Sequence, residues 1–405
     1  MTKTEQQKTP FDWLHGGLFF GKPSSKDGIG VIDSCKDAVT LLDGLKESLA
    51  KILASPPDQT GLNGDAPPST DDPSPSDYLA ARLARLRFLL YSERQKTSSE
   101  SSPRRSPIIA LNTSKAVTSA ETQELVPQLL QNLSFLPFES RKHVAAIFNY
   151  LLVCGLDGSD ASLYESAMHM FRDYIAARFD QIMTIIVEGH TAADSVLHFG
   201  SMYRSCLRHP SLYEQLVVTS ERTQRFLFPF LDSFVQNPNF EISSDAMESV
   251  RVAMGANSPP PEMTPLTAAF LKRDYTPLFE ERFNGKLLVG SAGYMNNRVA
   301  LQILSTVLLM RSNYGIMIRY VATRENLILV MKLLRDTSPH ITLDAFHVFK
   351  VFVANPNKPE DVIKILRDNK VKLCAYLKTL HHEKEDTDTQ FRDEKALIIS
   401  TIEAL

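Results

Sequence analysis

The run of residues 345–358, AFHVFKVFVANPNK, constrains the fold of this chain more strongly than any other segment. Its apolar residues recur every three or four positions, as on one face of a helix: Ala345, Val348, Phe349 and Phe352. Polar residues fall on another face: Asp344, His347 and Lys350. A strand would place Lys350 on the buried face between Val348 and Phe352, so the pattern favours a helix with one core-facing stripe. Pro356 is expected to end this helix.

The same apolar template recurs upstream at a nearly constant interval. Matching small apolar residues stand 46 to 53 residues apart, and they are Val144, Val196, Ala246, Val299 and Ala345. HEAT and armadillo units, which hold two or three helices each, repeat every ~40–47 residues. The sequence has no regular alternation of strand and helix patterns and no sustained heptad. We therefore predict an all-α, armadillo/HEAT-like helical-repeat solenoid, a curved rod whose stacked units present a concave face.

Three polar segments interrupt the helical pattern at residues 55–77, 96–107 and 255–265. The first holds six prolines and five aspartates without a lysine or arginine, so it buries too little apolar surface to offset its ordering entropy. We predict disordered insertions near all three segments. Residues 1–18 are predicted to be a disordered N-terminal extension, and residues 19–405 a single helical-repeat domain.

The composition excludes several classes of protein. A formal net charge of −3 argues against nucleic-acid binding, which usually requires a basic excess. The four cysteines are far apart in sequence, which favours a reducing compartment over a disulfide framework. The N-terminus lacks the apolar core of a secretory signal, and no apolar run approaches the ~20 residues of a membrane helix. We expect a cytoplasmic protein that does not insert into membranes.

Motifs of known chemistry are missing from the sequence. There is no phosphate-binding G-x-x-x-x-G-K-[ST] loop and no G-x-S-x-G nucleophile elbow. The segment beginning at Asp157 resembles a calcium loop, but Met168 stands where the bidentate glutamate belongs. The ten histidines are scattered without metal-ligand spacing. We therefore predict no catalytic, cofactor-binding or metal-binding residues, and an enzyme with an unrecognised site is the weakest reading.

The charge pattern is more informative between residues 284 and 332. This segment holds six basic residues and one acidic residue, Glu325, within a chain of negative net charge. It also holds three tyrosines, Tyr294, Tyr314 and Tyr320. Arginine and tyrosine are enriched at protein–protein hot spots, so the segment is a candidate platform for a partner. A solvated helix face is the alternative reading of such a charge run.

Several segments of the chain resemble the calcium-binding protein 39 family of kinase scaffolds, also called the mouse-protein-25 or Hym-like family. The most specific resemblance is FHVFKVFVANPNK, within the run that first indicated a helix. Shorter matches extend along the chain: Phe20-Gly21-Lys22, Val144-Ala145, Ile147-Phe148-Asn149, Ser244-Asp245-Ala246, Met331-Lys332-Leu333 and Gln390-Phe391. The resemblance therefore covers roughly residues 19–400, apart from the three interrupting segments.

The resemblance implies a non-catalytic, armadillo-like scaffold whose concave face binds a protein kinase or a pseudokinase. Family members bind STRAD-type pseudokinases and germinal-centre-type kinases and hold them in the closed, active conformation, in polarity and growth signalling. A ternary complex with an upstream master kinase is a further implied assembly. The resemblance also implies a protein that is monomeric when free. An armadillo-type carrier of peptides or proteins, without kinase activation, is the alternative.

The resemblance further assigns individual positions. The kinase-binding positions are Phe240, Tyr294, Arg298, Arg311 and Tyr314. A second site, which takes a C-terminal Trp-Glu-Phe peptide of the pseudokinase, includes Met331 and Lys372. Two departures from the family pattern are Gln302 and Asp368, each in place of a usual lysine. Because an acidic residue near the peptide site opposes an acidic peptide, the kinase-binding positions carry the stronger prediction.

Overall fold

The fold is seen in a computed structural model whose described residues are 29, 31–32, 35–54, 73–91, 107–154, 161–257, 259–289 and 293–405. These residues form helices, turns and loops, and no strand occurs among them. Residues 1–18, which we predicted to be a disordered extension, lie outside the described part. So do most of the segments 55–77 and 96–107.

Ten α-helices lie among the described residues between Ala38 and Phe226. They are α1 (Ala38–Ala54), α2 (Pro75–Tyr91), α3 (Pro107–Val117), α4 (Leu125–Gln131), α5 (Phe138–Val153), α6 (Ala161–Ala177), α7 (Phe179–Gly189), α8 (Val196–Leu207), α9 (Pro210–Val217) and α10 (Ser220–Phe226). A 3₁₀ helix, Leu133–Phe135, precedes α5, and a π-helix, Phe230–Phe234, follows α10.

Nine more follow among the described residues between Phe240 and Glu403. They are α11 (Phe240–Ala253), α12 (Met263–Arg273), α13 (Tyr294–Leu309), α14 (Tyr314–Val321), α15 (Arg324–Leu333), α16 (Pro339–Ala354), α17 (Glu360–Thr379), α18 (His382–Glu385) and α19 (Thr389–Glu403). A long π-helix, Thr276–Leu288, precedes α13, and a 3₁₀ helix, Arg311–Asn313, follows it.

Seven of these helices, which we call the row helices, pack side by side in chain order. They are α2, α5, α8, α11, α13, α16 and α19. Two or three other helical segments separate each row helix from the next, as in armadillo-type repeats. All five residues from which the repeat interval was read lie on row helices. The predicted all-α helical-repeat solenoid is confirmed.

Helix α16 is the predicted helix at residues 345–358, and it ends at Ala354, before Pro356. Its predicted core residues are fully buried, but Phe346, Val351 and Val353 are buried as well. The prediction of a single buried stripe was therefore too narrow. The reason is that α13, α15 and α19 all pack against α16, so residues on more than one face of this helix are buried.

Three helices begin inside segments whose composition indicated a break. Helix α2 starts at Pro75, α3 starts at Pro107, and α12 starts at Met263. At the start of α2, Ser74 and Asp77 form a reciprocal pair: the Ser74 amide donates to Asp77 Oδ2 (2.9 Å) and the Asp77 amide to Ser74 Oγ (3.2 Å). This pair resembles a capping box, and proline is favoured at the first position of a helix. The polar and proline residues before α2 are therefore signals for the start of a helix.

Polar side chains join successive row helices in a regular pattern. In each of five junctions the acceptor is the sixth residue of its helix, and we call these bonds the ladder. The five are Arg87 Nη1 to His143 Nδ1 (3.1 Å), Asn149 Nδ2 to Ser201 Oγ (3.0 Å), Arg204 Nη2 to Asp245 Oδ1 (2.8 Å), Arg298 Nε to Asp344 Oδ2 (3.1 Å) and Lys350 Nζ to Glu394 Oε2 (2.7 Å). In α13 the sixth residue is Val299, which has no side-chain acceptor.

The contacts between row helices also show that these helices run parallel. Between α2 and α5, Arg87 bonds His143, and Tyr91, one turn later, donates to the Ala146 carbonyl (3.1 Å). Between α8 and α11, Gly200 lies against Asp245, and Arg204, one turn later, donates to Ser249 Oγ (2.9 Å). Near the start of α13, Asn296 Nδ2 donates to the carbonyl of Val235, which precedes α11 (2.8 Å). The first residues of the row helices therefore lie toward one edge, which we call the N-terminal edge.

The ladder bond between α8 and α11 belongs to a buried ionic cluster. Asp245 lies between Arg204 and His190, whose Nε2 is 3.0 Å from Asp245 Oδ2. The His190 ring contacts Phe230 and Phe234, with ring centroids 4.8 and 5.4 Å away. Burial raises the pKa of Asp245, but hydrogen bonding and charge from His190 and Arg204 outweigh burial and hold this pKa below its usual value. Asp245 is therefore a buried carboxylate that is held ionised.

The close packing of α8 on α11 requires a glycine at position 200. A Cβ atom on Gly200 would lie 1.8 Å from Asp245 Oδ2, so Gly200→Ala should lower the free energy of unfolding by about 1–3 kcal/mol through overpacking. Gly315→Ala is the matched control, because no atom lies within 4 Å of the added Cβ and alanine favours helices by about 0.5–1 kcal/mol. Denaturation by urea measures both changes, and equal behaviour of the two variants would contradict this packing.

Because two histidines are buried, we expect the free energy of unfolding to decrease at mildly acidic pH. Burial, aided by the charge of Arg87, lowers the pKa of His143 to about 4, and burial also lowers the pKa of His209 to about 4. An unfolded chain takes up these protons near pH 6.5, so stability is full above pH 6.5 and falls as pH decreases toward 4. In thermal melts, His143→Gln and His209→Gln should reduce this loss, whereas substitution of the exposed His382 should not.

Candidate protein-binding surface

Phe240 is the first residue of α11, and its side chain is 65% exposed. Asn239 caps the helix: its Oδ1 accepts hydrogen bonds from the amides of Glu241 (2.9 Å) and Ile242 (3.4 Å). The cap fixes the point where the chain enters the helix, and thereby the direction in which Phe240 leaves it. A large exposed aromatic ring on a rigid helix end is typical of a partner contact rather than of core packing.

Tyr294 occupies the equivalent position on α13 and is 43% exposed. Gly293, which precedes it, has φ of +82°, a conformation that other residues rarely adopt. The next residue, Met295, is also exposed. Phe240 and Tyr294 are thus the first residues of adjacent parallel helices, and both lie on the N-terminal edge.

Arg298 lies one turn after Tyr294 on α13. Its Nε donates to Asp344 Oδ2 on α16 (3.1 Å), and the Nε2 of Gln302 donates to the same oxygen (3.2 Å). Asp344 is mostly buried, whereas a third of the Arg298 side chain is exposed. The ion pair therefore orients a guanidinium whose other nitrogens can contact a partner. Gln302, a departure from the family pattern, helps to hold Asp344 in place.

Arg311 and Tyr314 lie at the other end of α13. Arg311 begins the 3₁₀ helix after α13, Tyr314 begins α14, and both are exposed. Between them, buried Asn313 donates to the Val307 carbonyl (3.0 Å) and fixes this turn. The 16 residues of α13 span about 24 Å, so the five predicted kinase-binding residues form two groups. Phe240, Tyr294 and Arg298 lie together, and Arg311 and Tyr314 lie apart from them.

Half of the cations in the basic segment 284–332 are paired within the chain. Lys286 pairs with Asp232 (2.6 Å), Arg298 with Asp344, and Arg319 with Glu280 (3.4 Å). The three others have no carboxylate partner among the described residues: Arg311, Arg324 and Lys332. The local net charge available to a partner is therefore smaller than the sequence count indicates.

The two residues predicted for the C-terminal-peptide site lie on helices that pack together. Met331 is half-buried on α15, and Lys372 is exposed on α17. The Tyr376 hydroxyl of α17 donates to the Leu334 carbonyl at the end of α15, which joins the two helices. Asp368 is exposed one turn before Lys372. An acidic side chain therefore shares this helix surface with the predicted site.

The Mo25-like family model matches residues 36–405, nearly the whole of the described structure. The chain belongs to the Mo25-like family. Three curated relatives illustrate the similarity. The degreening-related gene dee76 protein of Auxenochlorella protothecoides is 37% identical over 69% of this chain and 78% of its own length. Human calcium-binding protein 39-like is 33% identical over 69% of this chain and 76% of its own length. The Mo25-like protein of Schizosaccharomyces pombe is 36% identical over 68% of this chain and 76% of its own length.

The described residues of this Mo25-like chain contain no group of three histidine, cysteine, aspartate or glutamate side chains that could hold a metal ion. No helix in the same part of the chain is long and apolar enough to cross a membrane.

Asp344 is a site residue that the sequence analysis assigned only to a polar helix face. It holds both Arg298 and Gln302, although it lies 46 positions after Arg298 in the sequence. That separation falls within the interval of 46 to 53 residues found from the apolar pattern. A search for opposite charges at one repeat interval is the signal that would have found it.

Proposed function

We propose that this Mo25-like protein is a non-catalytic cytoplasmic scaffold that binds the kinase domain of a STRAD-type pseudokinase or a germinal-centre-type kinase. The observation that supports the proposal most is the grouping of Phe240, Tyr294 and Arg298 at the N-terminal edge of α11 and α13. Two exposed aromatic rings beside an oriented guanidinium have the composition of a binding hot spot. Membership of the Mo25-like family supports the choice of partner through the resemblance described above.

The scaffold would act by shifting the partner's conformational equilibrium. A surface that binds the closed, active conformer more tightly than the open one raises the share of the active conformer. The ratio of active to inactive conformers rises at most by the ratio of the two affinities. No chemical step by the scaffold is required. Arg311 and Tyr314, some distance away, would contact a second part of the same partner, and an upstream master kinase would complete a ternary complex.

Met331 and Lys372 on α15 and α17 would form the accessory site for the C-terminal peptide of a pseudokinase. Asp368 opposes an acidic peptide there, so this site is proposed as the weaker of the two. A peptide ending in Trp-Glu-Phe should bind the Asp368→Lys variant more tightly than the natural chain. Equal affinity of the two would count against this placement.

Calorimetry with a purified kinase domain separates the proposal from the carrier alternative. The scaffold function requires a one-to-one complex with an intact kinase domain of the germinal-centre type or with a STRAD-type pseudokinase domain. A carrier would bind extended peptides and leave folded kinase domains unbound. Absence of any complex with either kind of domain would overturn the proposal.

A further inference from the structure

The N-terminal edge carries exposed apolar residues well beyond the site described above. Phe138, the first residue of α5, is 59% exposed, and Leu197, the second residue of α8, is 51% exposed. Together with Phe240 and Tyr294, they place an exposed apolar side chain at the start of four successive row helices. The next row helices, α16 and α19, begin with Pro339-His340 and Thr389-Gln390 instead.

The two ends of α5, α8 and α11 differ in their exposed apolar side chains. The last residues of these helices are Val153, Leu207 and Ala253, and none of them is exposed, whereas Leu309 at the end of α13 is 57% exposed. Phe135, just before α5, adds a further ring that is 83% exposed. Contiguous exposed apolar side chains on a protein surface usually mark an interaction site. From α5 to α11, exposed apolar side chains therefore stand at the N-terminal ends of the row helices and not at their last residues, which favours a binding surface over chance exposure.

The part of the edge at α5 and α8 is held rigidly. Ser134 Oγ and Ser195 Oγ are 3.2 Å apart, and Arg141 Nη1 donates to the Asp194 carbonyl (2.8 Å). The Phe138 ring lies 5.9 Å from the ring of His198, the residue after Leu197. Side chains that are fixed before binding lose little conformational entropy on binding, which suits them to a partner contact.

We propose that Phe138 and Leu197 extend the binding surface, so that one kinase domain contacts the N-terminal edge from α5 to α13. This inference rests on the proposed function, because the occupant is the same partner. Packed helices lie 8–10 Å apart, so three junctions span roughly 24–30 Å, close to the ~30 Å diameter of a small domain. The partner contributes an apolar surface of that length, and the edge continues directly from Phe240 and Tyr294.

The test compares Phe138→Ser and Leu197→Ser with Phe88→Ser in calorimetric titrations of a germinal-centre-type kinase domain with the full chain. Phe88 is a matched control, because it is 46% exposed on the row helix α2 but lies near that helix's C-terminal end. We expect about tenfold weaker binding for each edge variant and unchanged binding for Phe88→Ser. Thermal melting checks that each variant is folded. If Phe138→Ser unfolds, Phe135→Ser takes its place, because the Phe135 side chain is more exposed.

Hydrogen exchange supplies a second readout that needs no variant. Amides at the start of α5 and α8 should exchange more slowly when the kinase domain is bound. If Arg298→Ala weakens binding while both edge variants bind like the natural chain and no protection appears at α5, the extension is wrong and the proposed function stands. If the natural chain binds no kinase domain, both the proposed function and its extension to α5 and α8 are wrong. Equal weakening by Phe88→Ser would overturn the specific role of this edge.

Discussion

Replacement of Asp245 by alanine should lower the free energy of unfolding by about 3–5 kcal/mol. The reason is that Asp245 is a buried carboxylate between Arg204 and His190. Removal of the carboxylate leaves the Arg204 guanidinium without its ionic partner at the junction of α8 and α11. Urea denaturation measures the loss.

Glu47→Ala is the control for Asp245→Ala. Glu47 forms an ion pair with Lys51 (2.7 Å), but both side chains are more than half exposed. Ion pairs between exposed side chains contribute little to stability, so this variant should remain close to the natural chain. A similar, small loss for both variants would contradict the account of Asp245 as the centre of a buried ionic cluster.

The same cluster predicts a direction of pH dependence. The pKa of Asp245 is lower in the folded chain than in the unfolded one. Its stabilisation is therefore complete above the unfolded pKa of about 3.9, and it is lost as pH falls through the lower folded pKa. Asp245→Ala should show less of this final loss at strongly acidic pH than the natural chain.

Replacement of Arg298 by alanine should weaken kinase binding at least about 30-fold, which corresponds to a hot-spot loss of about 2 kcal/mol. Stability should change little, because Arg298 is one third exposed and Gln302 still donates to Asp344 in the variant. Calorimetry and thermal melting on the same preparation measure the two effects separately.

Lys350→Ala is a closely matched control for Arg298→Ala. Lys350 makes the equivalent ladder bond to Glu394 at the junction of α16 and α19, the next junction along the row after that of α13 and α16. Loss of that bond should change stability by a similarly small amount and leave kinase affinity unchanged. If both variants weakened binding equally, the effect would come from the ladder as a whole rather than from contact by Arg298.

The helices could be predicted from sequence because their apolar spacing is local information. Val144, Val196, Ala246, Val299 and Ala345 all lie on row helices, as their recurrence indicated. Helix starts were less predictable where their signals resemble those of disorder. Ser74, Pro75 and Asp77 belong to a polar, proline-rich run by composition, yet they start α2.

The contacts between repeats could not be predicted from local spacing. The bonds from Arg298 to Asp344 and from Arg204 to Asp245 join residues 46 and 41 positions apart. Periodicity assigns each residue to a helix face but does not assign it a partner on another helix. For the same reason the sequence did not separate Arg311 and Tyr314 from Tyr294, because that separation depends on the length of α13.

The most direct test of the central claim is the activity of a germinal-centre-type kinase domain, measured as this protein is added at increasing concentration. We expect activity to rise and saturate at one-to-one stoichiometry, to require higher concentrations of Arg298→Ala, and to respond to Lys350→Ala as to the natural chain. The saturated gain reports the ratio of affinities for the active and inactive conformers. A complex that forms at one-to-one stoichiometry without any gain in activity would contradict the scaffold mechanism.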